Sequence, residues 1–325
     1  MSDVVIYGAG AWGTALAIHA ARLGRDVVLW ARDPLRAAEL SARRVNARLL
    51  PGAAFPDGLR ITGDAAQGAG ARLAIIAVPM QPLRAVLETL PRALPPILLA
   101  CKGLEAGTLR LPLEVLGEAR PDLVGGVLSG PNFAHEVAAG LPAASVVAAA
   151  DPDLTTLAQS LLSGATLRLY ASEDAIGVQL GGAAKNVLAI AAGVATGAGL
   201  GENARAALVT RGLAELSRLV VGLGGRAETA AGLSGLGDLL LTATGAASRN
   251  TSLGFALGRG MSIAQALAGR ASVTEGLATA PALLARARAA GVELPICAAV
   301  VAMLEGRLDV QGALAALLAR PLRQE

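Results

Sequence analysis

Four apolar residues, Val4–Tyr7, run directly into Gly8-Ala9-Gly10-Ala11-Trp12-Gly13, and an alanine-rich stretch follows from Thr14. A G-x-G-x-x-G run constrains a fold strongly when it closes a strand and opens a helix. Gly8 permits the tight turn, Gly10 lets backbone approach a pyrophosphate, and Gly13 lets the helix pack closely on the sheet. Unpaired N–H groups at the helix start then hold the anion. The context predicts a dinucleotide site at Gly8, Gly10, Ala11, Trp12 and Gly13.

The rest of the first half fits a doubly wound sheet. Strand candidates are Val4–Tyr7, Asp26–Trp30, Leu73–Val78, Ile97–Cys101, Val124–Ser129, Ala143–Ala149 and Leu167–Ala171. The early runs are almost continuously apolar, as parallel strands covered on both faces are. Helical stretches such as Thr14–Leu23, Pro34–Val45 and Pro82–Leu90 alternate with them. After Asp174 the strand runs stop. Ala/Leu-rich segments at helical spacing take over: Val178–Gly193, Ala204–Gly222, Leu253–Gly258, Ile263–Leu267, Ala278–Ala290 and Ala298–Glu305. Glycines at Gly193–Gly201 and Gly222–Gly225 punctuate them. The expected architecture is α/β: an N-terminal Rossmann-type sheet over residues 1–174, then an all-helical domain over 175–325.

Composition excludes several classes. The net charge of +3 is weak for a nucleic-acid binder. Mean hydropathy is high, +0.55, yet the longest uncharged stretches, such as Val137–Ala150 and Asn186–Gly201, are short of the ~20 residues a spanning helix needs. No basic n-region precedes Val4, so no signal peptide is expected. Cys101 and Cys297 are too few for a disulfide framework, and His19 and His135 give no metal-ligand set. These features predict a cytoplasmic protein with no membrane span and no bound metal.

Of the 28 basic residues, 26 are Arg and only Lys102 and Lys185 are Lys. A chain that uses Arg for its ordinary surface cations makes those two positions candidates for a compact ammonium able to pass a proton. Past the second strand, Arg32 precedes Asp33. An acidic residue there holds the ribose hydroxyls of NAD, whereas Arg accommodates a 2′-phosphate. The pair leans to NADP(H), with NAD(H) tolerated.

Several ordered segments together resemble the bacterial NAD(P)-dependent sn-glycerol-3-phosphate dehydrogenases over essentially the whole length. They are Gly8–Ala17, Cys101-Lys102-Gly103, Ser129-Gly130-Pro131, Ala183-Ala184-Lys185-Asn186-Val187, Thr210-Arg211-Gly212-Leu213, Gly237-Asp238-Leu239 and Ser248-Arg249-Asn250. The resemblance implies reversible reduction of dihydroxyacetone phosphate to sn-glycerol 3-phosphate, the backbone of phospholipids. It implies Lys185 as general acid/base, with Asn186 orienting substrate or nicotinamide. Arg249 and Asn250 would grip the phosphate beside Ser248, and Arg249 would also face the cofactor. Asp238 would contact substrate and hold Lys185, with Thr242 nearby. Lys102 would touch both cofactor and substrate, Gly130 and Asn132 the substrate, and Ala134, Val273 and Glu275 the cofactor. A homodimer is also among the expectations.

Two positions depart from the pattern: Asn132 replaces a small hydroxyl residue, and Thr274 an apolar one. His135-Glu136 superficially offers a proton relay, but neighbours on a helix point about 100° apart and are not expected to face each other. Cys101 and Cys297 read as buried small hydrophobes. Two other functions fit parts of the pattern. A β-hydroxyacid dehydrogenase also joins a dinucleotide domain to a helical domain with a catalytic Lys, and a non-catalytic NAD(P) sensor would keep Gly8–Gly13 without needing Lys185, Asp238 and Arg249 together.

Overall fold

The structure, a computed structural model, describes residues 2–245, 248–268 and 274–319. The chain divides into two compact units, Met1–Lys102 with Arg110–Ala175, and Gly103–Leu109 with Ile176–Glu325.

The first unit is built on one eight-stranded sheet. Its elements are β1 (Val4–Tyr7), α1 (Ala11–Arg22), β2 (Val27–Trp30), α2 (Pro34–Arg43), a hairpin of β3 (Val45–Asn46) and β4 (Leu50–Ala54), and β5 (Leu59–Thr62). Then come β6 (Leu73–Ile76), α3 (Leu83–Thr89), β7 (Ile97–Leu99), α4 (Pro112–Ala119), β8 (Gly125–Ser129), α5 (Ala134–Ala139), β9 (Ala143–Ala149), α6 (Pro152–Leu162) and β10 (Leu167–Ser172). The order across the sheet is β10-β9-β8-β7-β6-β1-β2-β5. From β5 to β8 all pairs are parallel, and β9 turns antiparallel against β8.

Strands β1, β2 and β6 are buried at every position, which is why they read as unbroken apolar runs. Helix α1 is buried from Gly13 to Ala21 and is pinned by its polar residues. His19 Nε2 lies 2.7 Å from Leu162 O at the end of α6, and Arg22 donates to Ala138 O in α5. Burial lowers the His19 pKa, so its ring is held neutral.

The sequence missed β5, whose Leu59-Arg60-Ile61-Thr62 is only half apolar, as befits the sheet edge. It also ran α2 on to Val45. Arg44 instead takes a left-handed conformation at φ +52° that stops the helix and starts the hairpin.

The second unit is helical: α7 (Ala175–Gly197), α8 (Gly201–Gly222), α9 (Ala227–Ala231), a π-helical turn over Leu233–Gly237, α10 (Asp238–Thr244), α11 (Arg249–Gly258), α12 (Ile263–Leu267), α13 (Gly276–Ala289), α14 (Pro295–Leu304) and α15 (Val310–Leu318). Helix α7 is long and apolar enough to cross a membrane by length and composition, contrary to the expectation from uncharged stretches, which Lys185 interrupts. Yet 83% of its most apolar window is buried inside the structure, as in the core helix of a soluble protein.

Gly193 and Gly197 do not end α7 as their clustering suggested; they are its crossing point with α11. A Cβ on Gly193 would sit 2.2 Å from Thr251 O, and one on Gly197 2.2 Å from Phe255 O. Reciprocally, a Cβ on Gly254 would sit 2.0 Å from Ile190 O and one on Gly258 2.4 Å from Val194 O. Two backbones in direct contact leave no room for any side chain between them.

Candidate active site

In the first unit the candidate residues follow the carboxyl ends of parallel strands, where doubly wound sheets place their ligands. Gly8 leaves β1 at φ +125°, and a Cβ there would lie 2.5 Å from Ala77 O. A Cβ on Gly13 would lie 2.0 Å from Gly8 O, so α1 closes on the turn only with glycine. At Gly10 nothing lies within 4 Å of the Cβ position. One glycine is thus left open to a ligand while its two neighbours are required for packing, and Ala11 and Trp12 begin the helix there. The residues present fit a dinucleotide pyrophosphate.

Beyond β2, Arg32 is exposed. Asp33 caps α2, its carboxylate accepting from Leu35 N at 3.0 Å. Among the described residues no side-chain hydrogen bond or ion pair engages the Arg32 guanidinium.

A second cluster forms past β7 and β8. Lys102 Nζ donates to Gly130 O at 3.1 Å. Gly130 takes φ +145°, and a Cβ would meet Ser145 Cα at 2.9 Å. Asn132 Nδ2 donates to Ala144 O and to Ser145 Oγ, each at 2.9 Å. The antiparallel β9 brings Ser145 here, a partner that nothing in the local pattern announced. The buried Asn132 Oδ1 and Ser129 Oγ have no hydrogen-bond partner among the described residues. Buried polar atoms are rarely left so, and both suit a bound hydroxyl group. Ala134 begins α5 and packs against the core.

In the helical unit, Lys185 projects from α7 with its side chain 13% exposed. Its Nζ lies 3.1 Å from Asp238 Oδ1 and donates to Thr242 Oγ1 at 3.0 Å. Asp238 is the first residue of α10, directly after the π turn, and is buried. Thr242 closes the triangle by donating to Asp238 O at 2.6 Å. The buried carboxylate therefore has a cation beside it, and the largely buried Lys185 an acidic partner.

Next to it runs a chain of amides. The Gly276 N–H donates to Asn250 Oδ1 at 3.0 Å, Asn250 Nδ2 to Asn186 Oδ1 at 2.8 Å, and Asn186 Nδ2 to Glu275 Oε2 at 3.4 Å. A backbone N–H can only donate, so the whole chain has one polarity. Gly276 is glycine for space: a Cβ would lie 2.7 Å from Asn250 Oδ1. Ser248 caps α11, accepting from Thr251 N at 3.2 Å, and Arg249 is exposed on the first turn. A hydroxyl, an exposed guanidinium and a helix N-terminus converge there, a combination suited to phosphate.

Thus the structure joins Lys185, Asn186, Asp238, Thr242, Ser248, Arg249, Asn250 and Glu275 on neighbouring elements of one unit. It groups Lys102, Gly130 and Asn132 in the other. Val273 lies outside the described residues, and Thr274 is buried with no hydrogen-bond partner for its Oγ1 among the described residues. His135 Nε2 and Glu136 Oε1 come within 4.0 Å, contrary to expectation. Their side chains bend together in solvent at the start of a six-residue helix, with the ring stacked on Phe133. Both cysteines are buried, and burial pushes the Cys297 thiol up.

Family models described as the N-terminus and C-terminus of NAD-dependent glycerol-3-phosphate dehydrogenase match residues 3–155 and 174–315. The glycerol-3-phosphate dehydrogenase [NAD(P)+] of Caulobacter vibrioides is 50% identical over 325 residues, covering 99% of this chain and 98% of the relative. That of Leptothrix cholodnii is 50% identical over 337 residues, covering 99% of each. The crystal structure of glycerol-3-phosphate dehydrogenase from Coxiella burnetii superposes with a TM-score of 0.93 at 39% identity, covering 98% of this chain and 99% of that one. The chain belongs to the NAD-dependent glycerol-3-phosphate dehydrogenase family.

Proposed function

We propose that this chain reversibly reduces dihydroxyacetone phosphate to sn-glycerol 3-phosphate with NADP(H) or NAD(H). The observation that carries the reading is the Lys185 ammonium, withdrawn from solvent yet held by Asp238 and Thr242. Bound at the glycine turn, the nicotinamide cofactor supplies or accepts hydride. Lys185 supplies the proton that the ketone oxygen takes up during reduction and removes it in reverse, as a positioned general acid/base does. Asp238 is then a positioning residue that fixes the ammonium. Thr242 orients it from the third side.

Arg249, Asn250 and Ser248 at the start of α11 hold the substrate phosphate. Gripping the non-reacting end places the carbonyl before Lys185 and lowers the entropic part of the barrier. Asn186, whose orientation is set through Asn250 and Gly276, presents its amide to substrate. Within the dinucleotide unit Lys102, Gly130 and Asn132 contact substrate, and Lys102 and Ala134 also contact cofactor. Glu275 and Arg249 complete the cofactor contacts. Exposed Arg32, with Asp33 occupied as a helix cap, favours the 2′-phosphate of NADP(H).

The reading includes a cytoplasmic protein that spans no membrane, supported by the burial of α7, and a homodimer. It places the product in phospholipid synthesis. A β-hydroxyacid substrate is less well served, because the groups at the start of α11 suit a phosphate.

The test is nicotinamide oxidation by purified protein with dihydroxyacetone phosphate, with unphosphorylated dihydroxyacetone as control and NADPH and NADH in parallel. Phosphate-dependent turnover that collapses by at least ~10³-fold in Lys185→Met, with the variant still folded, is the expected result. A folded wild type that binds NADPH without turnover overturns the reading.

A further inference from the structure

Asn46, on the short strand β3, is fully buried and uses all four hydrogen-bonding positions of its amide. Its Oδ1 accepts from Arg36 Nη2 of α2 and from Leu49 N at 3.3 Å. Its Nδ2 donates to Ala9 O at 3.1 Å and to Thr14 Oγ1 at 2.9 Å. The amide cannot be flipped, since guanidinium and backbone N–H only donate and the Ala9 carbonyl only accepts. Asn46 therefore ties the helix after β2 to the middle of the glycine turn.

The tie has a directional consequence. Ala9 C=O and Gly10 N–H belong to one planar trans peptide and point to opposite sides of it. Anchoring the carbonyl on Asn46 fixes the direction of the Gly10 N–H. Gly8 and Gly10, which flank Ala9, leave the backbone there soft. A turn rich in glycine needs an external hold if its N–H groups are to be preorganised for an anion.

We propose that Asn46 is the positioning residue of the cofactor site, aiming the Gly10 amide at the pyrophosphate and coupling that aim to α2. The proposal rests on the reading of the glycine turn as the dinucleotide site. It assigns Asn46 no contact with substrate and none with the reacting atoms.

Two variants separate the parts. Asn46→Ala removes all four bonds. Asn46→Asp keeps the acceptor for Arg36 and lets Thr14 donate to the new oxygen, but sets oxygen against the Ala9 carbonyl, so it isolates the Ala9 contact. Dissociation constants for NADPH and for ADP-ribose, which carries the pyrophosphate without nicotinamide, are measured by calorimetry. The Gly10 amide proton shift on adding ADP-ribose is followed by NMR.

Losing the one hydrogen bond to the turn, Asn46 Nδ2 to Ala9 O, predicts roughly twofold to tenfold weaker binding of both ligands. The Gly10 shift shrinks, and KM for dihydroxyacetone phosphate at saturating NADPH changes little. Should Asn46→Ala fail to fold, the same losses in Asn46→Asp carry the test. Wild-type affinity and an unchanged Gly10 shift in a folded variant overturn the proposal, as does a fall in melting temperature alone. Wild-type protein that binds neither ligand overturns the reading of the turn itself, a distinguishable result.

Discussion

Replacing Gly254 by alanine strikes the backbone contact between α7 and α11. The added methyl would stand 2.0 Å from Ile190 O, 2.8 Å from its carbonyl carbon and 2.9 Å from Val194 N. All three are backbone atoms, so no side chain can swing away. To restore a tolerable ~3.2 Å contact the helices must part by about 1 Å. The Asn250–Asn186 hydrogen bond joins the same two helices at 2.8 Å. Moved apart by that much, it passes out of hydrogen-bonding range.

Overpacking of this kind costs about 1–3 kcal/mol, and the lost buried hydrogen bond adds about 1–3 kcal/mol. The sum lowers the melting temperature by roughly 3–9 °C in a protein of this size. Misplacing the proposed phosphate-binding end by ~1 Å lowers kcat/KM by about a hundredfold. Differential scanning fluorimetry and steady-state kinetics with dihydroxyacetone phosphate measure the two effects. A Gly254→Ala protein with wild-type melting temperature and full kcat/KM would refute the idea that this crossing sets the site.

Two other perturbations have definite outcomes. His19 is buried with its pKa held below 6.5, so the unfolded chain binds more protons in the interval below that value. Its contribution to stability is complete above about pH 6.5 and is lost as pH falls through the lowered value. Melting temperature should decline over that interval in wild type and less steeply in His19→Gln, and parallel profiles would contradict this. An amine-acylating reagent finds only Lys102 and Lys185 as side-chain targets. Inactivation should track acylation of these two residues in peptide maps and be slowed by cofactor and substrate together. Full turnover by a chain acylated at Lys102 would remove that residue from the site.

How much of this was legible in the sequence depended on whether a signal was local. Buried parallel strands announced themselves because β1, β2 and β6 are apolar on both faces, and the glycine turn because its three glycines serve one strand–helix junction. Strand β5 escaped notice because an edge strand needs only one apolar face. Lys185 and Asp238 could be named from motifs, and only the family resemblance paired them, because their meeting at 3.1 Å joins residues on separate helices. No pattern within either helix encodes it.

Asn46 and Ser145 were missed for a similar reason. Each is a lone polar residue in an ordinary loop-and-strand context, and its partners come from distant segments. The glycines of α7 were visible but misread. A helix glycine that breaks a helix and one that admits a neighbouring backbone look alike until the partner helix is in place.

That crossing has a consequence for what such a chain can become. Under the proposed roles, α7 carries the proton-handling lysine and α11 begins with the phosphate grip, and the two helices touch backbone to backbone at Gly193, Gly197, Gly254 and Gly258. A side-chain interface can be widened or narrowed a methylene at a time. This one has no such adjustment, so the span between the two ends of the substrate is gauged by the peptide backbone itself. New specificities are then open to changes in the groups at either end, while a longer or shorter molecule between them would require a different pair of helices.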